Sequence, residues 1–375
     1  MTTELSTNLS TETPYQLSGQ PLITEGIKYT GSKKKLLPQI LSLVAQINPN
    51  SIFDGFSGTT RVSQAFAQSG YQVIANDISI WSEIFANCYL LNKQPASYYQ
   101  KMIDELNHLK PMAGWFSEHY GGLPSAIKKP WQKHNTMKLD AIRQEIANWQ
   151  LNKIEESVLL TSLIHAMDAV DSTIGHYASY LHHWSKRSYK TMKMKMPHLH
   201  FYKKNHIVQR QDIFSAIKEA TVDLAYFDPP YGSNNEKMPP SRVRYAAYYH
   251  LWKTIILNDR PHVFGKSSRR YDSSDTIAAS VFEEFRKDDG GHFIAVNAIK
   301  KLLCDTRAKY ILLSYSSGGR ATIDELYDAM ATAGKLKKIV EIDYRKNVMA
   351  DMTWSQKWIT NTATPHKEFL FLIEK

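Results

Sequence analysis

Hydrophobic and polar positions along the chain follow two alternating periods. In LLPQILSLVAQI (36–47) the apolar residues recur at helical spacing, with Pro38 near the start where a helix tolerates it. SIFDGFSG (51–58) is a short apolar run ending in a glycine turn, TRVSQAFAQSG (60–70) returns to helical spacing and stops at Gly70, and YQVIANDI (71–78) is strand-like again. Strand, turn, helix and strand in that order predict one half of a doubly wound α/β sheet. The texture then changes. KLDAIRQEIANWQ (138–150) and IEESVLLTSLIHAMDAV (154–170) predict helices joined by aromatic and basic loops, so 91–204 is expected to be an inserted, mainly helical region. Sheet texture resumes in NHIVQRQDIFSAI (205–217) and TVDLAYFDPPYG (221–232). KYILLSYSS (309–317), KKIVEIDY (337–344) and EFLFLIEK (368–375) predict further strands. The first twenty residues are rich in Ser, Thr, Gln and Glu without periodicity. The organisation expected is a mobile tail over 1–26, a main domain from 27–90 and 205–375, and the insert between them.

Composition narrows the class. With 43% apolar and 22% charged residues in 375, the chain buries a sizeable core. No long uncharged apolar run and no basic-then-apolar start are present, so neither a membrane span nor a signal peptide is expected. Cys88 and Cys304 stand alone, which excludes a disulfide framework and suits a reducing cytoplasm. His165, His176, His182, His183, His198, His200 and His206 match no recurrent ligand spacing, and no metal is expected. The net charge is +10, and residues 1–26 hold three acids and no base, so the remainder is more basic still. A body of that sign suits an anionic partner such as nucleic acid, though many soluble proteins are merely basic.

Three motifs bear on chemistry. GIKYTGSKKK (26–35) approaches a phosphate-binding loop, but Ser32 stands where the lysine belongs and no good strand precedes it. A glycine turn before a basic helix is the simpler reading. FDGFSGTT (53–60) places Gly55 and Gly58 at a strand's carboxyl end, where backbone can approach a ligand. Asp77 ends the next strand, where a carboxylate can accept from two ribose hydroxyls. The full dinucleotide fingerprint is absent, which disfavours a nicotinamide oxidoreductase and points to a single nucleoside. The third motif is Asp228-Pro229-Pro230-Tyr231, directly after the apolar DLAYF. Two prolines stiffen the loop and leave its carbonyls unpaired, beside a carboxylate and an aromatic face. That set suits an exocyclic amino group on a flat base.

In this order, KYTGSK, FDGFSG, Asp77, a large insert and a strand ending in DPPYG resemble the DNA adenine N6-methyltransferases of the alpha group, both solitary methylases and restriction-modification enzymes. The resemblance implies a Rossmann-like fold with a mixed, mostly parallel sheet and an inserted helical target-recognition region. It implies S-adenosylmethionine as methyl donor, held by Tyr29 and Lys33, by Asp54, Phe56 and Gly58 under its methionine part, by Asp77 at the ribose and by Asp212 at its adenine, with Asp228 beside it. Gly55 stands where the family usually has proline, and Thr60 where it usually has a second glycine. Asp228 matches the adenine-type motif; cytosine N4 enzymes usually carry serine there.

The base would have to leave the duplex before reaction. Asp228 and the Pro229 carbonyl would each accept one N6 hydrogen, Pro230 would stiffen the loop, and Tyr231 would stack on the base. NNEKMPPSRVRYAAYYH (234–250) is expected to be a loop closing over it. Double-stranded DNA is the expected partner, in the cytoplasm of a bacterial or phage-infected cell, with a restriction endonuclease of the same site as a candidate second partner. Residues 172–211 contain no acid, and their bases interleave with Tyr180, Trp184, Tyr189, Phe201 and Tyr202. Lys186, Arg187, Lys193 and Lys195 from this stretch, with Arg269 and Arg270 from GKSSRRY (265–271), are candidate phosphate contacts. A solvated basic face over buried aromatics is the alternative reading. RNA adenine methylation and a non-catalytic DNA-binding role on a decayed fold are the rival functions.

Overall fold

Apolar runs too short for helices become the centre of one sheet. The computed structural model describes residues 22–125, 129–232, 244–343 and 367–375. Its main sheet holds β1 (Ser51–Asp54), β2 (Gln72–Asn76), β3 (Ile207–Gln209), β4 (Leu224–Phe227), β5 (Tyr310–Ser316), β6 (Lys335–Asp343) and β7 (Lys367–Glu374). Their spatial order is β6-β7-β5-β4-β1-β2-β3. Five strands from β5 across to β3 are parallel, and β7 runs antiparallel between β5 and β6. β4 is buried at every position because helices cover both faces, which is why its sequence reads as a continuous apolar run.

The chain builds outward from β1 through β2 to β3, then returns to lay β4 on the other side of β1. Strand order therefore reverses between β1 and β4, and a crevice opens beyond their carboxyl ends. Register pairs Asp54 with Tyr226, so the residues following both strands emerge side by side.

Alternate strand residues feed two cores. Ile52, Val73, Leu224, Tyr226 and Leu312 pack with α1 (Leu37–Ile47) and α2 (Arg61–Gln68). Phe53, Ala225, Phe227, Ile311 and Leu313 pack with α8, α11 and α12 (Ile213–Glu219, Ile294–Asp305 and Ile323–Ala333). Between β2 and β3 lie α3 (Ile80–Ala86), α4 (Ala96–His108), α5 (Trp115–His119), α6 (Lys133–Asn148) and α7 (Lys153–Ala169). α7 starts from a capping box in which Asn152 accepts the Ile154 and Glu155 amides.

These helices share one core with α10 (His250–Leu257): Phe85, Tyr89, Ile142, Leu163 and Trp252 belong to a single cluster. The helical region is thus fused to the main domain by packing rather than hinged to it. Of the expected tail, 1–21 lie outside the described residues. Residues 23–26 run along α2, where Gln68 and Gln64 hydrogen-bond the Ile23 and Glu25 backbone and Arg61 donates to the Gly26 carbonyl. Most of the expected closing loop, 234–243 of 234–250, also lies outside the described residues; the rest includes α9 (Tyr245–Tyr248) and the start of α10.

Candidate active site

Asp228 is the first residue beyond β4 and faces the crevice. Lys33, buried in the turn that precedes α1, places Nζ 2.8 Å from Asp228 Oδ1. Burial raises the Asp228 carboxyl to about 6; Lys33 pulls it down and Glu368 pushes it further up. Burial also opposes the Lys33 charge, but Asp228 and Glu368 outweigh it and hold the ammonium protonated. Tyr231 lies against the same cation, its hydroxyl 3.3 Å from Lys33 Nζ and donating to Glu368 Oε1 at 3.1 Å. The near-phosphate-loop motif therefore has a different use: its lysine turns inward to a carboxylate.

The glycine turn sits beside this group. Asp54 is 1% exposed and accepts from the Ser63 hydroxyl at 2.6 Å. Burial raises it to about 7, while Ser63 and the Phe56 amide work to lower it. Its Oδ1 has no partner in hydrogen-bond geometry among the described residues. Gly55 leaves no room for the family's usual proline, because an added Cβ would lie 2.7 Å from the Phe227 ring. Its amide also donates to the Tyr226 carbonyl at 3.0 Å. Thr60 adopts φ 61°, a left-handed conformation that costs a β-branched residue about 1–2 kcal/mol and that glycine takes freely. The departure thus puts a β-branched residue in a conformation that favours glycine.

Asp77 accepts the Gly58 amide at 2.9 Å and the Ser79 amide at 2.8 Å, which ties the end of β2 to the turn. Burial raises its pKa as well. Tyr29 covers Gly58 and stacks on Tyr249 at 4.4 Å between centroids. Tyr249 accepts the Thr30 amide, and Tyr245 donates to the Thr30 carbonyl, so α9 and α10 clamp this segment. Phe56 meets Phe282 edge-on, and Phe282 stacks with Phe214. Asp212 is exposed and caps α8 by accepting the Phe214 amide at 2.9 Å.

Asp54, Asp77 and Asp228 all surround the crevice with carboxyls that burial makes reluctant to ionise. A ligand bearing positive charge would stabilise all three anions, and the unpartnered Asp54 oxygen offers it an acceptor. This set of carboxylates fits a sulfonium and an ammonium.

The basic stretch divides in two. From Lys190 to Lys195 the chain is extended and held by side-chain amides acting as a strand partner. Asn135 bonds the Lys190 carbonyl and the Met192 amide, Asn107 bonds both backbone groups of Met194, and Ser162 donates to the Lys195 carbonyl. Met192 and Met194 are buried, which turns Lys193 and Lys195 outward to solvent. Lys186 is exposed too. Arg187 instead grips buried Asp171, its Nε 2.7 Å from Oδ1, and donates to the Asp171 and Thr173 carbonyls. Arg270 is 2% exposed between Asp259 and Asp272, and Arg269 bonds Asp275 and the Ser273 carbonyl.

The candidate motifs therefore converge on one crevice, whereas the three candidate arginines are engaged within the fold. Glu368, Ser63 and Tyr249 belong to the crevice but carry no signal in the sequence, since each is a common residue whose partner is distant along the chain.

The family model for D12 class N6 adenine-specific DNA methyltransferases matches residues 29–328. The type II methyltransferase M.NlaIII of Neisseria lactamica is 26% identical over 93% of this chain and 99% of its own. M.FokI of Planomicrobium okeanokoites is 26% identical over 93% of this chain and 53% of its own. The modification methylase StsI of Streptococcus sanguinis is 26% identical over 85% and 48%. The chain spans nearly all of the first relative and about half of the other two.

Proposed function

The chain belongs to the D12 class N6 adenine-specific DNA methyltransferases, and from that premise we propose that it methylates N6 of an adenine turned out of double-stranded DNA at a specific site. The observation that carries this reading is the pairing of buried Lys33 with half-buried Asp228 at the strand-order reversal, beside the glycine turn. Family membership favours neither RNA methylation nor a binding role without catalysis.

Asp228 accepts one N6 hydrogen and the Pro229 carbonyl the other. As these bonds strengthen, the nitrogen moves towards tetrahedral geometry and its lone pair leaves conjugation with the ring. An acceptor that tightens during reaction lowers the barrier more than it aids binding. Lys33 keeps Asp228 ionised where burial favours the neutral acid. Pro230 restricts the loop, and Tyr231 supplies the stacking face.

S-adenosylmethionine supplies the electrophilic methyl group when bound. Asp54, Phe56 and Gly58 would receive its methionine part, Asp77 its ribose and Asp212 its adenine, with Tyr29, Lys33 and Asp228 closing that side. Lys186, Lys193 and Lys195 would neutralise phosphates from the helical region, which would serve target recognition. The relatives' type II names make a restriction endonuclease of the same site the second partner in this reading.

The test is to incubate the protein with unmethylated plasmid and labelled S-adenosylmethionine, then identify modified bases by single-molecule sequencing. N6-methyladenine at one recurrent sequence is expected. Label in RNA alone, or none in DNA, overturns the reading.

A further inference from the structure

Methyl transfer as proposed uses Asp228, Pro229 and Tyr231 and leaves one buried acid beside them without a role. Glu368 is the second residue of β7 and is 7% exposed. Because β7 alone runs antiparallel to its parallel neighbours, its first residues, not its last, lie at the carboxyl edge of the sheet. Register sets Glu368 opposite Ser316, the final residue of β5. Glu368 Oε1 accepts the Tyr231 hydroxyl at 3.1 Å, and Oε2 lies 3.9 Å from Lys33 Nζ. Lys33 is in turn 3.3 Å from that hydroxyl and 2.8 Å from Asp228. Two carboxylates, one ammonium and one phenol thus form one contiguous group, with Lys33 and Glu368 buried and Asp228 and Tyr231 half-buried, contributed by β7, the turn before α1 and the DPPY loop.

We propose that Glu368 is a positioning residue for methyl transfer, fixing the Tyr231 ring by its hydroxyl and the Lys33 ammonium by its charge, so that Asp228 meets the base in one orientation. The inference rests on the reading of Asp228 given above. Packing against Tyr315, at 5.1 Å between centroids, restrains the Tyr231 ring at a second point, and Glu368 supplies the polar one. A carboxylate is suited to both tasks because one oxygen accepts the phenol while its charge attracts the ammonium at 3.9 Å. The groups facing Asp228 are Lys33 from the turn, Tyr226 from β4, Asp54 from β1, Tyr245 from α9, and Tyr231 and Glu368. Among these Lys33 is the cation, and Glu368 competes with Asp228 for it.

Two substitutions separate the tasks. Glu368→Gln keeps an acceptor for Tyr231 but removes the charge; Glu368→Ala removes both. Turnover is measured on the full chain with plasmid DNA and S-adenosylmethionine from about pH 5 to 9, with wild type and Asp228→Ala alongside. An inactive wild type or an active Asp228→Ala would count against the underlying reading and is seen separately. If Glu368 positions the site, Glu368→Gln keeps kcat within about threefold at high pH and moves the acid limb to lower pH, because a like charge beside Asp228 has gone. Glu368→Ala loses about ten- to a hundredfold in kcat with KM for DNA nearly unchanged, the effect of stranding a buried donor. An acid limb of Glu368→Gln that coincides with wild type, or a Glu368→Ala enzyme with wild-type kcat, overturns the proposal. Should Glu368→Ala fail to fold, the Glu368→Gln limb decides alone.

Discussion

Lys33 Nζ and Asp228 Oδ1 lie 2.8 Å apart, both withdrawn from solvent, although one belongs to the first turn of the fold and the other to the end of β4. The pairing decides the charge of Asp228, which burial would otherwise hold neutral. With Lys33 present the carboxyl stands at about 6.

Removing the cation should raise it further. Lys33→Met is expected to move the acid limb of kcat to higher pH, with about twofold lost at about pH 7 as the limb reaches about 7, about tenfold for each further unit, and partial recovery in mild alkali. A pH–rate profile checks this, and a limb that stays in place would detach Lys33 from Asp228.

Asp228 and Tyr231 divide one loop into two tasks. Asp228→Ala should lose nearly all methylation and still bind DNA, because its hydrogen bond strengthens only during reaction. Tyr231→Ala should hold the extruded base poorly, losing about 1–3 kcal/mol of stacking. Tyr231→Phe or Trp should keep most of the stacking, and Tyr231→Phe should lose several-fold in turnover with the Glu368 bond. Fluorescence of 2-aminopurine at the target reports extrusion, and equal signals from wild type and Tyr231→Ala would remove Tyr231 from the base site.

The Asp54 carboxyl, at about 7, stands above an unfolded value near 4. From about pH 4 to 7 the native state keeps a proton that the unfolded chain has released, so this group makes stability fall as pH rises through that window. Asp54→Asn should therefore raise the melting temperature at about pH 8 and flatten the pH dependence. Binding of a cationic ligand should lower the Asp54 and Asp228 values and release protons near neutral pH. Calorimetry of S-adenosylmethionine binding in buffers of different ionisation enthalpy measures that release, and its absence would place the cation elsewhere.

Exposed and engaged bases should behave differently. Replacing Lys186, Lys193 and Lys195 with Ala should weaken DNA binding and flatten its log–log salt dependence by about 0.9 for each phosphate left without its lysine. Arg187→Ala should instead lower thermal stability, because buried Asp171 loses its guanidinium partner. Salt titrations and thermal melts of the two variants separate the roles; an unchanged slope in the triple variant would make the lysine face merely solvated.

The strands of the main sheet, the helices around them and the candidate crevice were legible along the chain because each depends on local information. The apolar run DLAYF needs only its own composition to be a central strand, Gly70 closes α2 by its own freedom at φ +88°, and DPPY is stiff wherever it stands. In KTMKMKM it is the structure that shows Met192 and Met194 buried and Lys193 and Lys195 outside. The same local view offers Arg187, Arg269 and Arg270 as phosphate contacts but cannot show that each has an acidic partner within the fold. Nor does local periodicity encode the aromatic core that the helices of 91–204 share with α3 and α10. Nor could it anticipate that Thr60 would take a glycine's conformation. Charge partners are set by which strand lies beside which: only the antiparallel return of β7 brings Glu368 to the edge where Asp228 emerges, and only the reversal of strand order brings Lys33 there as well. Sequence determined which chemical groups the crevice could use; tertiary structure decided which of them are paired, because the Coulomb energy of a buried charge depends on distances that local sequence does not encode.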